Sequence, residues 1–256
     1  MSEIRVAWLG HSTVVLDLDG VRVLFDPLLR PHAGLLRRLT PHPEEETWRG
    51  ADGVVVSHLH HDHAELRSLR MLPDVPVMSS PSNASWLRRR GVPTAAGLTE
   101  TWTRIGAGPV EVRQVRADHR HRPMPHRPND AHGHLLRGPS GRMWVAGDTS
   151  LYPEMASLPD LAGGPLDVAV VPVWGWGPRL SEGHMNPEQA ALACALTGAR
   201  WAVPVHWGTL HPPLVARFAR GWLERPGAAF AEELARVAPQ CRPLVLRPAE
   251  ASTIPC

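Results

Sequence analysis

The chain has 256 residues, of which 43% are hydrophobic and 20% charged, and its formal net charge is +2 with histidine neutral. These values fit a soluble globular protein of one large domain or two small ones, and they exclude a bulk polycation. Three cysteines, Cys194, Cys241 and Cys256, are too few for a disulfide framework and lack zinc-knuckle spacing, so a reducing, cytoplasmic setting is expected. Met1-Ser2-Glu3-Ile4-Arg5 opens straight into a strand pattern, which predicts no signal peptide, and no apolar run approaches the length of a membrane span. Apart from histidine every basic side chain is arginine, a residue suited to bidentate contact with phosphate or carboxylate.

Residues 4–9 alternate weakly and run into Gly10-His11-Ser12. Residues 13–18 and 21–25 read as strands joined by an Asp19-Gly20 hairpin turn, and Asp26-Pro27 stops the second. His11, at a strand junction, is a candidate to line a binding site. Residues 28–50 are rich in Pro, Arg and Glu without a clear period. They read as a surface excursion over the site, with a short helix over 35–39 whose arginines face solvent. Residues 51–56 are a short β-branched run, hence a buried strand. A short helix is expected over 64–71, a strand over 75–78, and a helix over 83–90 ended by Gly91, where Arg88-Arg89-Arg90 suits the helix dipole. Strands follow at 101–104 and 110–117, the second delivering Asp118-His119.

Pro123, Pro125 and Pro128 mark an irregular loop after His119. Residues 132–137 and 142–146 read as a strand pair, the second presenting Gly147-Asp148-Thr149. The near-continuous apolar run 166–173 reads as a strand buried on both faces, and it leads to Trp174-Gly175-Trp176-Gly177-Pro178. Asn186 as N-cap, Pro187 in the first helical position and Gln189 two residues on predict a helix to about residue 196, closed by Gly198. Residues 201–205 form a strand that ends in His206-Trp207-Gly208. Residues 212–220 and 228–237 read as helices, and 243–247 as the closing strand. With no internal repeat or linker, a single domain over 1–256 is expected.

The stretch that carries chemistry is Ser57-His58-Leu59-His60-His61-Asp62-His63, just past the 51–56 strand. Four imidazoles and a carboxylate so close together are costly to desolvate without partners, and both groups are ligands for zinc and similar ions. In a tight turn, His58 and His60 can point to one ion while Asp62 and His63 point to another. His119, Asp148 and His206 also sit just past strands, and neighbouring strand ends converge. Counting ligands gives His58, His60 and His119 for one ion, Asp62, His63 and His206 for a second, and Asp148 to bridge through its two oxygens. Two ions roughly 3.5–4 Å apart sharing a hydroxide form a hydrolytic centre. Asp62 would bind one ion and orient or deprotonate the nucleophile. The basic loop of His119, Arg120, His121, Arg122, His126 and Arg127 could hold an anionic substrate, with Arg122 the candidate contact. Trp174 and Trp176, with Trp207, are candidates for an apolar substrate wall.

On these motifs the chain resembles the metallo-β-lactamase superfamily, whose mark is His-x-His-x-Asp-His followed by a later His, an Asp and a last His. Gly10-His11-Ser12, Asp26-Pro27, Gly147-Asp148-Thr149, His184-Met185-Asn186-Pro187-Glu188 and His206-Trp207-Gly208-Thr209 are most similar to one branch. That branch holds N-acyl-phosphatidylethanolamine-hydrolysing phospholipase D and the ascorbate-6-phosphate lactonases. The resemblance implies an αββα sandwich of mixed α/β class with a dinuclear site at one edge. It also implies the seven ligands named above, and a His184 that lies near the site and assists the leaving group. Arg120-His121-Arg122-Pro123 departs from the branch pattern, so His121 stays open as an alternative ligand to His119.

The leading expectation is a metal-dependent hydrolase of a phosphodiester, ester or lactone in a small, anionic or acylated molecule. Two divalent ions are expected, zinc by default, with manganese or iron also suited to the donor set. A metallo-nuclease would call for a long basic surface, which the near-neutral charge argues against, so no nucleic-acid partner is expected. A non-catalytic metal-binding protein on the same fold is the alternative from a different class, and the seven intact ligands weigh against it. The oligomeric state is left open, a homo-oligomer included.

Overall fold

In the computed structural model, which describes residues 3–119, 127–128, 130–213 and 221–255, alternation along the first strands sets the architecture. The strands are β1 (Glu3–Gly10), β2 (Thr13–Leu18), β3 (Val21–Phe25), β4 (His32–Ala33), β5 (Leu36–Arg38), β6 (Gly53–Val55), β7 (Val77–Ser79), β8 (Ala95–Gly97) and β9 (Thr103–Arg104). They continue as β10 (Glu111–Arg116), β11 (His132–Gly138), β12 (Gly141–Val145), β13 (Val168–Pro172), β14 (Trp201–Val205), β15 (Leu210–His211), β16 (Arg242–Pro243) and β17 (Glu250–Pro255). The helices are α1 (Glu45–Trp48), α2 (Leu66–Leu69), α3 (Pro81–Arg89), α4 (Leu158–Ala162), α5 (Pro187–Thr197), α6 (Gly221–Glu224) and α7 (Pro226–Val237).

Two seven-stranded sheets form, in the orders β17-β1-β2-β3-β6-β7-β8 and β16-β14-β13-β12-β11-β10-β9. Ile4, Val6 and Trp8 of β1 share one core with Val112 of β10, Leu136 of β11 and Val168 and Val170 of β13, so alternate residues of both sheets meet between them. The opposite face of the first sheet, through Ala7, Val15, Leu24 and Val54, packs on Trp48, Leu69, Trp86 and Leu87 of the flanking helices. Leu135, Trp144, Ala169 and Ala202 of the second sheet pack on Leu158, Ala190, Cys194, Phe230 and Leu234. The layers therefore run helix, sheet, sheet, helix, the metallo-β-lactamase fold that the resemblance implied. Fully buried Trp8, Trp144 and Phe25 each stabilise it by about 2–3 kcal/mol.

The strand directions place the site. β1 and β2, then β2 and β3, pair antiparallel, while β3, β6 and β7 pair parallel, so β1, β3, β6 and β7 all end at one edge. In the second sheet β12, β13 and β14 run parallel, and β10 shares their direction across β11. The C-terminal ends of these eight strands carry the loops that hold the histidines and carboxylates.

Three expectations are corrected here. Residues 35–39 are not helical: β5 pairs with β4 and with β15, which follows His206 closely in the chain. Arg38 is not solvated either. It donates to the carbonyls of Leu28 and Leu9, and burial lowers its pKa to about 10. The closing strand lies at β17, paired with β1, whereas of the expected 243–247 only Pro243 falls in a strand, as the end of β16. An exposed edge strand in which Ile254 is the one buried residue shows no apolar run to read. Most of the helix expected over 212–220 lies outside the described residues. Among the described residues no helix is long and apolar enough to cross a membrane.

Candidate metal centre

His58 and His60 lie in the loop that follows β6, and a turn closed by Ala64 N–H donating to His60 O at 2.8 Å brings in Asp62 and His63. His119 follows β10, Asp148 follows β12 and His206 follows β14. Gly147 takes φ +61°, and a Cβ there would stand 3.0 Å from Ser57 Cβ and 3.1 Å from His132 O. Glycine is required for the loops of the two sheets to approach this closely. His11, Asp26 and His206 also occupy the left-handed region, at φ 52°, 44° and 65°. Such strain costs about 1–3 kcal/mol each and clusters where side chains must be aimed.

The donors converge in two sets. His58 Nε2 stands 2.9 Å from His60 Nδ1, which is 3.3 Å from His119 Nε2. On the other side His63 Nε2 is 3.2 Å from His206 Nε2, with Asp62 Oδ2 at 3.6 Å from His206 Nε2 and 4.0 Å from His63 Nε2. Asp148 stands between the sets: Oδ2 lies 3.1 Å from His63 Nε2 and 3.7 Å from His58 Nε2, and Oδ1 lies 3.2 Å from His206 Nε2. His184 Nε2 reaches Asp148 Oδ2 at 3.1 Å.

The outer nitrogens fix what the inner ones carry. His119 Nδ1–H donates to Gly183 O at 2.9 Å, and His206 Nδ1–H to Trp174 O at 3.1 Å. His63 Nδ1–H donates to Asp26 Oδ2 at 2.8 Å. Ser57 Oγ–H donates to that same oxygen at 2.7 Å, so it accepts from His58 Nδ1–H at 3.0 Å. When neutral, all four rings therefore present lone pairs on their inward nitrogens. Lone pairs 3.2 Å apart, as on His63 and His206, repel unless a cation or proton lies between them. A tetrahedral zinc with Zn–N near 2.0–2.1 Å needs nitrogens about 3.3 Å apart. The donor set and its spacing thus fit metal ions.

Electrostatics divide the sets. Burial lowers His58 well below its usual pKa and His60 to about 4, and neighbouring imidazoles add to this, so both are neutral. Burial also opposes charge on His206 and His63, but the carboxylates win: Asp148 and Asp62 raise His206 to about 9, and Asp148 and Asp26 hold His63 well above its usual value. Burial would favour the acid forms of Asp62 and Asp148, yet the surrounding imidazoles hold both well below the carboxylate range. The pocket attracts positive charge, which a proton satisfies partly and a divalent ion more fully.

His11 is repositioned relative to the sequence reading. It is fully buried and its Nε2 lies 2.9 Å from Asp62 Oδ2, the same oxygen that faces His206 and His63, so it stands within the second donor set and fixes that carboxylate. Trp174 presents its carbonyl to His206 while its ring N–H turns back to Gly177 O, and Trp176 is 44% exposed on the same loop. Trp207 stacks on Trp8 at 5.4 Å, a packing role. Arg122 and the alternative ligand His121 lie outside the described residues, whereas His119 takes a place in the first set. Arg127 is buried and donates to Leu59 O at 2.7 Å and Ala64 O at 3.4 Å, bracing the loop. Sequence reasoning gave Asp26 and Ser57 no role in the site: Asp26 entered only within the Asp26-Pro27 motif and Ser57 only as the start of the histidine stretch, although both are polar residues just past a strand, the pattern that flagged Asp148 and His206.

Comparison with known proteins agrees with this fold. The beta-lactamase superfamily domain matches residues 21–207, a span that holds all seven proposed ligands and His184. A UPF0173 metal-dependent hydrolase of Nitratidesulfovibrio vulgaris is 30% identical over 98% of this chain and 95% of its own. An uncharacterised protein of Mycobacterium tuberculosis is 30% identical over 81% of this chain, and the match spans 59% of that protein. An N-acyl-phosphatidylethanolamine-hydrolyzing phospholipase D of Caenorhabditis elegans is 26% identical over 81% of this chain and 65% of its own. Igni18, a metallo hydrolase of Ignicoccus hospitalis, superposes with a TM-score of 0.75 at 21% identity over 98% of each chain and shares the fold. From its fold, the converging donors and a match over most of its length, the chain belongs to the beta-lactamase superfamily domain family.

Proposed function

We propose that the chain is a metal-dependent hydrolase that cleaves an ester, lactone or phosphodiester bond in a small or lipid-like molecule. One observation carries this reading: two sets of inward-facing donors share the single carboxylate of Asp148. His58, His60 and His119 would hold one ion and Asp62, His63 and His206 the other, with Asp148 between them. When bound, two divalent ions, most simply zinc, supply a Lewis acid for the scissile group and an activated water near neutral pH. Asp62, anchored by His11, orients that water and accepts hydrogen bonds from it. His184 Nδ1–H is held by Ser181 and Glu182 oxygens at 3.0–3.3 Å, which leaves Nε2 facing Asp148. From Nε2, held 3.1 Å from Asp148, His184 is placed to pass a proton to the leaving oxygen. Names of relatives, a metal-dependent hydrolase and a phospholipase D, support this reaction class.

The test is a panel of lactones, acyl esters and phosphodiesters assayed before and after dialysis against a chelator. Turnover of one class is expected to vanish on dialysis and return with zinc or manganese. Turnover that persists in metal-free protein refutes the reading.

A further inference from the structure

A second concavity lies beside the metal loop, and none of the residues that converge on the metal centre lines it. It is a cavity of about 450 Å³ walled by Arg30, His32, His61, Arg67, Arg70 and Arg127. We propose that it is a binding site for a phosphate-type dianion, the phosphoryl group of a small molecule.

The charge balance of the walls carries the inference. Glu65 is the one acid that lines the cavity, so its walls carry four guanidiniums against a single carboxylate whose oxygens are already held by neutral donors. Oε1 accepts from Arg67 N–H at 3.0 Å, and Oε2 accepts from Ser68 N–H at 2.6 Å and Ser68 Oγ–H at 2.8 Å, so Glu65 serves as the cap of α2. No ion pair neutralises any of the four guanidiniums among the described residues. Arg127 is held by the Leu59 and Ala64 carbonyls and by His61 Nδ1 at 3.1 Å and lies 4.9 Å over the Trp86 ring, and Arg70 donates to the Arg90 carbonyl. Carbonyl acceptors hold a guanidinium in place and leave its charge intact. Arg30 and Arg67 are exposed, and their guanidiniums make no hydrogen bond among the described residues.

Four like charges round one concavity repel one another, and an entering anion relieves that repulsion. Guanidinium forks match a phosphoryl group, whose oxygens can accept several bidentate pairs at once, better than a single carboxylate. The cavity falls within the range of small-molecule sites, about 300–1,000 Å³, and so has room for the organic part of a phosphate ester. A long polyanion suits it less, because a nucleic acid is tracked by an extended basic stripe and not by one pocket.

Binding can be read without any hydrolytic activity, by equilibrium dialysis of the full chain with labelled inorganic phosphate at low ionic strength. The expected result is about one phosphate bound per chain both with metals and after their removal. Arg30→Ser combined with Arg67→Ser is expected to weaken it at least tenfold, with an unchanged circular dichroism spectrum. Arg127 is left in place because it braces the loop. Binding that disappears with the metals, or that the double variant retains in full, overturns the proposal. So does tighter binding of a single-stranded oligonucleotide through the same arginines. The source of the group is read from kinetics of the double variant. A raised KM for phosphorylated but not for uncharged substrates means the pocket holds the substrate's own phosphoryl group, and an unchanged KM for both means a separate effector.

Discussion

The two halves of the cluster use the same ligand type and hold it in opposite protonation states. Around His58, His60 and His119 the rings are buried mainly against one another, and His60 titrates at about 4. Around His63 and His206 three carboxylates, Asp26, Asp62 and Asp148, overcome an equal or deeper burial, and His206 titrates at about 9. Burial alone strips the proton from an imidazole; carboxylates restore it. The first half is thus prepared as a neutral three-nitrogen pocket, and the second as a charged one in which a metal must displace protons.

Asp148 is the element both halves share, so Asp148→Ala should erase the comparison. It removes an oxygen that stands within 3.7 Å of donors in both sets. Metal content measured by elemental analysis is expected to fall in both halves, and hydrolysis by about three orders of magnitude or more. Full metal stoichiometry in that variant would mean that the halves are independent, and the shared carboxylate would lose its role. His184→Gln should act next most strongly and in a narrower way, since within the cluster His184 Nε2 hydrogen-bonds only Asp148 while its ring packs against those of His119 and His206. Metals are expected to stay, while kcat drops about 10²–10³-fold for substrates with poor leaving groups. The deficit should shrink for a nitrophenolate, which needs no proton. An equal deficit for both leaving groups would reduce His184 to a support of Asp148.

The same contrast separates what the sequence disclosed from what it did not. His-x-His-x-Asp-His, His119, Asp148 and His206 were legible because polar residues that follow apolar strands break a simple pattern. Their division into two sets came from counting ligands on loops that follow strands; the structure brings these residues together and adds His11 to the second set and His184 beside Asp148 and His206. The strands at 13–18, 21–25 and 201–205 were legible to the residue for the corresponding reason: period-two or continuous apolar runs end at turn residues. What stayed hidden depends on contacts distant in sequence. His11 reads as a wall residue until Asp62, 51 positions away, is seen against it. Arg38 reads as solvated until Leu9 and Leu28 carbonyls are found at its guanidinium. Asp26 gives no hint that it fixes His63 directly and His58 through Ser57.

Proton release sharpens the comparison further. The raised pKa of His206 means that the metal-free fold gains stability from this proton below pH 6.5, the unfolded value, and loses that gain as pH rises through about 9. A metal that replaces the proton releases it. Calorimetric titration at pH 7.5 in two buffers of different ionisation enthalpy should show one to two protons released on filling the second half. None is expected on filling the first, whose lowered pKa values leave its rings already neutral at pH 7.5. At pH 9.5 the difference should fade. Equal release from both halves would show that carboxylate count does not set their protonation.

The smallest effect isolates burial from carboxylates altogether. His134 lies on the inter-sheet face of β11, fully buried, with its ring 6.1 Å from that of Phe25 and neither nitrogen hydrogen-bonded among the described residues. Burial, aided by His132, lowers its pKa to about 3. The folded state keeps His134 neutral, while the unfolded chain binds a proton below pH 6.5. Its share of stability is therefore intact above pH 6.5 and is lost progressively as pH falls from there to about 3, at about 1.4 kcal/mol per unit. His11 and His60 titrate in the same direction, so the wild-type acid limb alone cannot assign the slope to one ring. The difference between wild type and His134→Leu can, because leucine fills similar space and has nothing to protonate. Urea unfolding at pH 7.5, 6, 5 and 4 should find the variant at least as stable as wild type at the top of the series and increasingly more stable towards the bottom. Parallel pH profiles would show that an imidazole can be buried without partners at no titration cost, and the distinction drawn between the two halves of the cluster would lose its baseline.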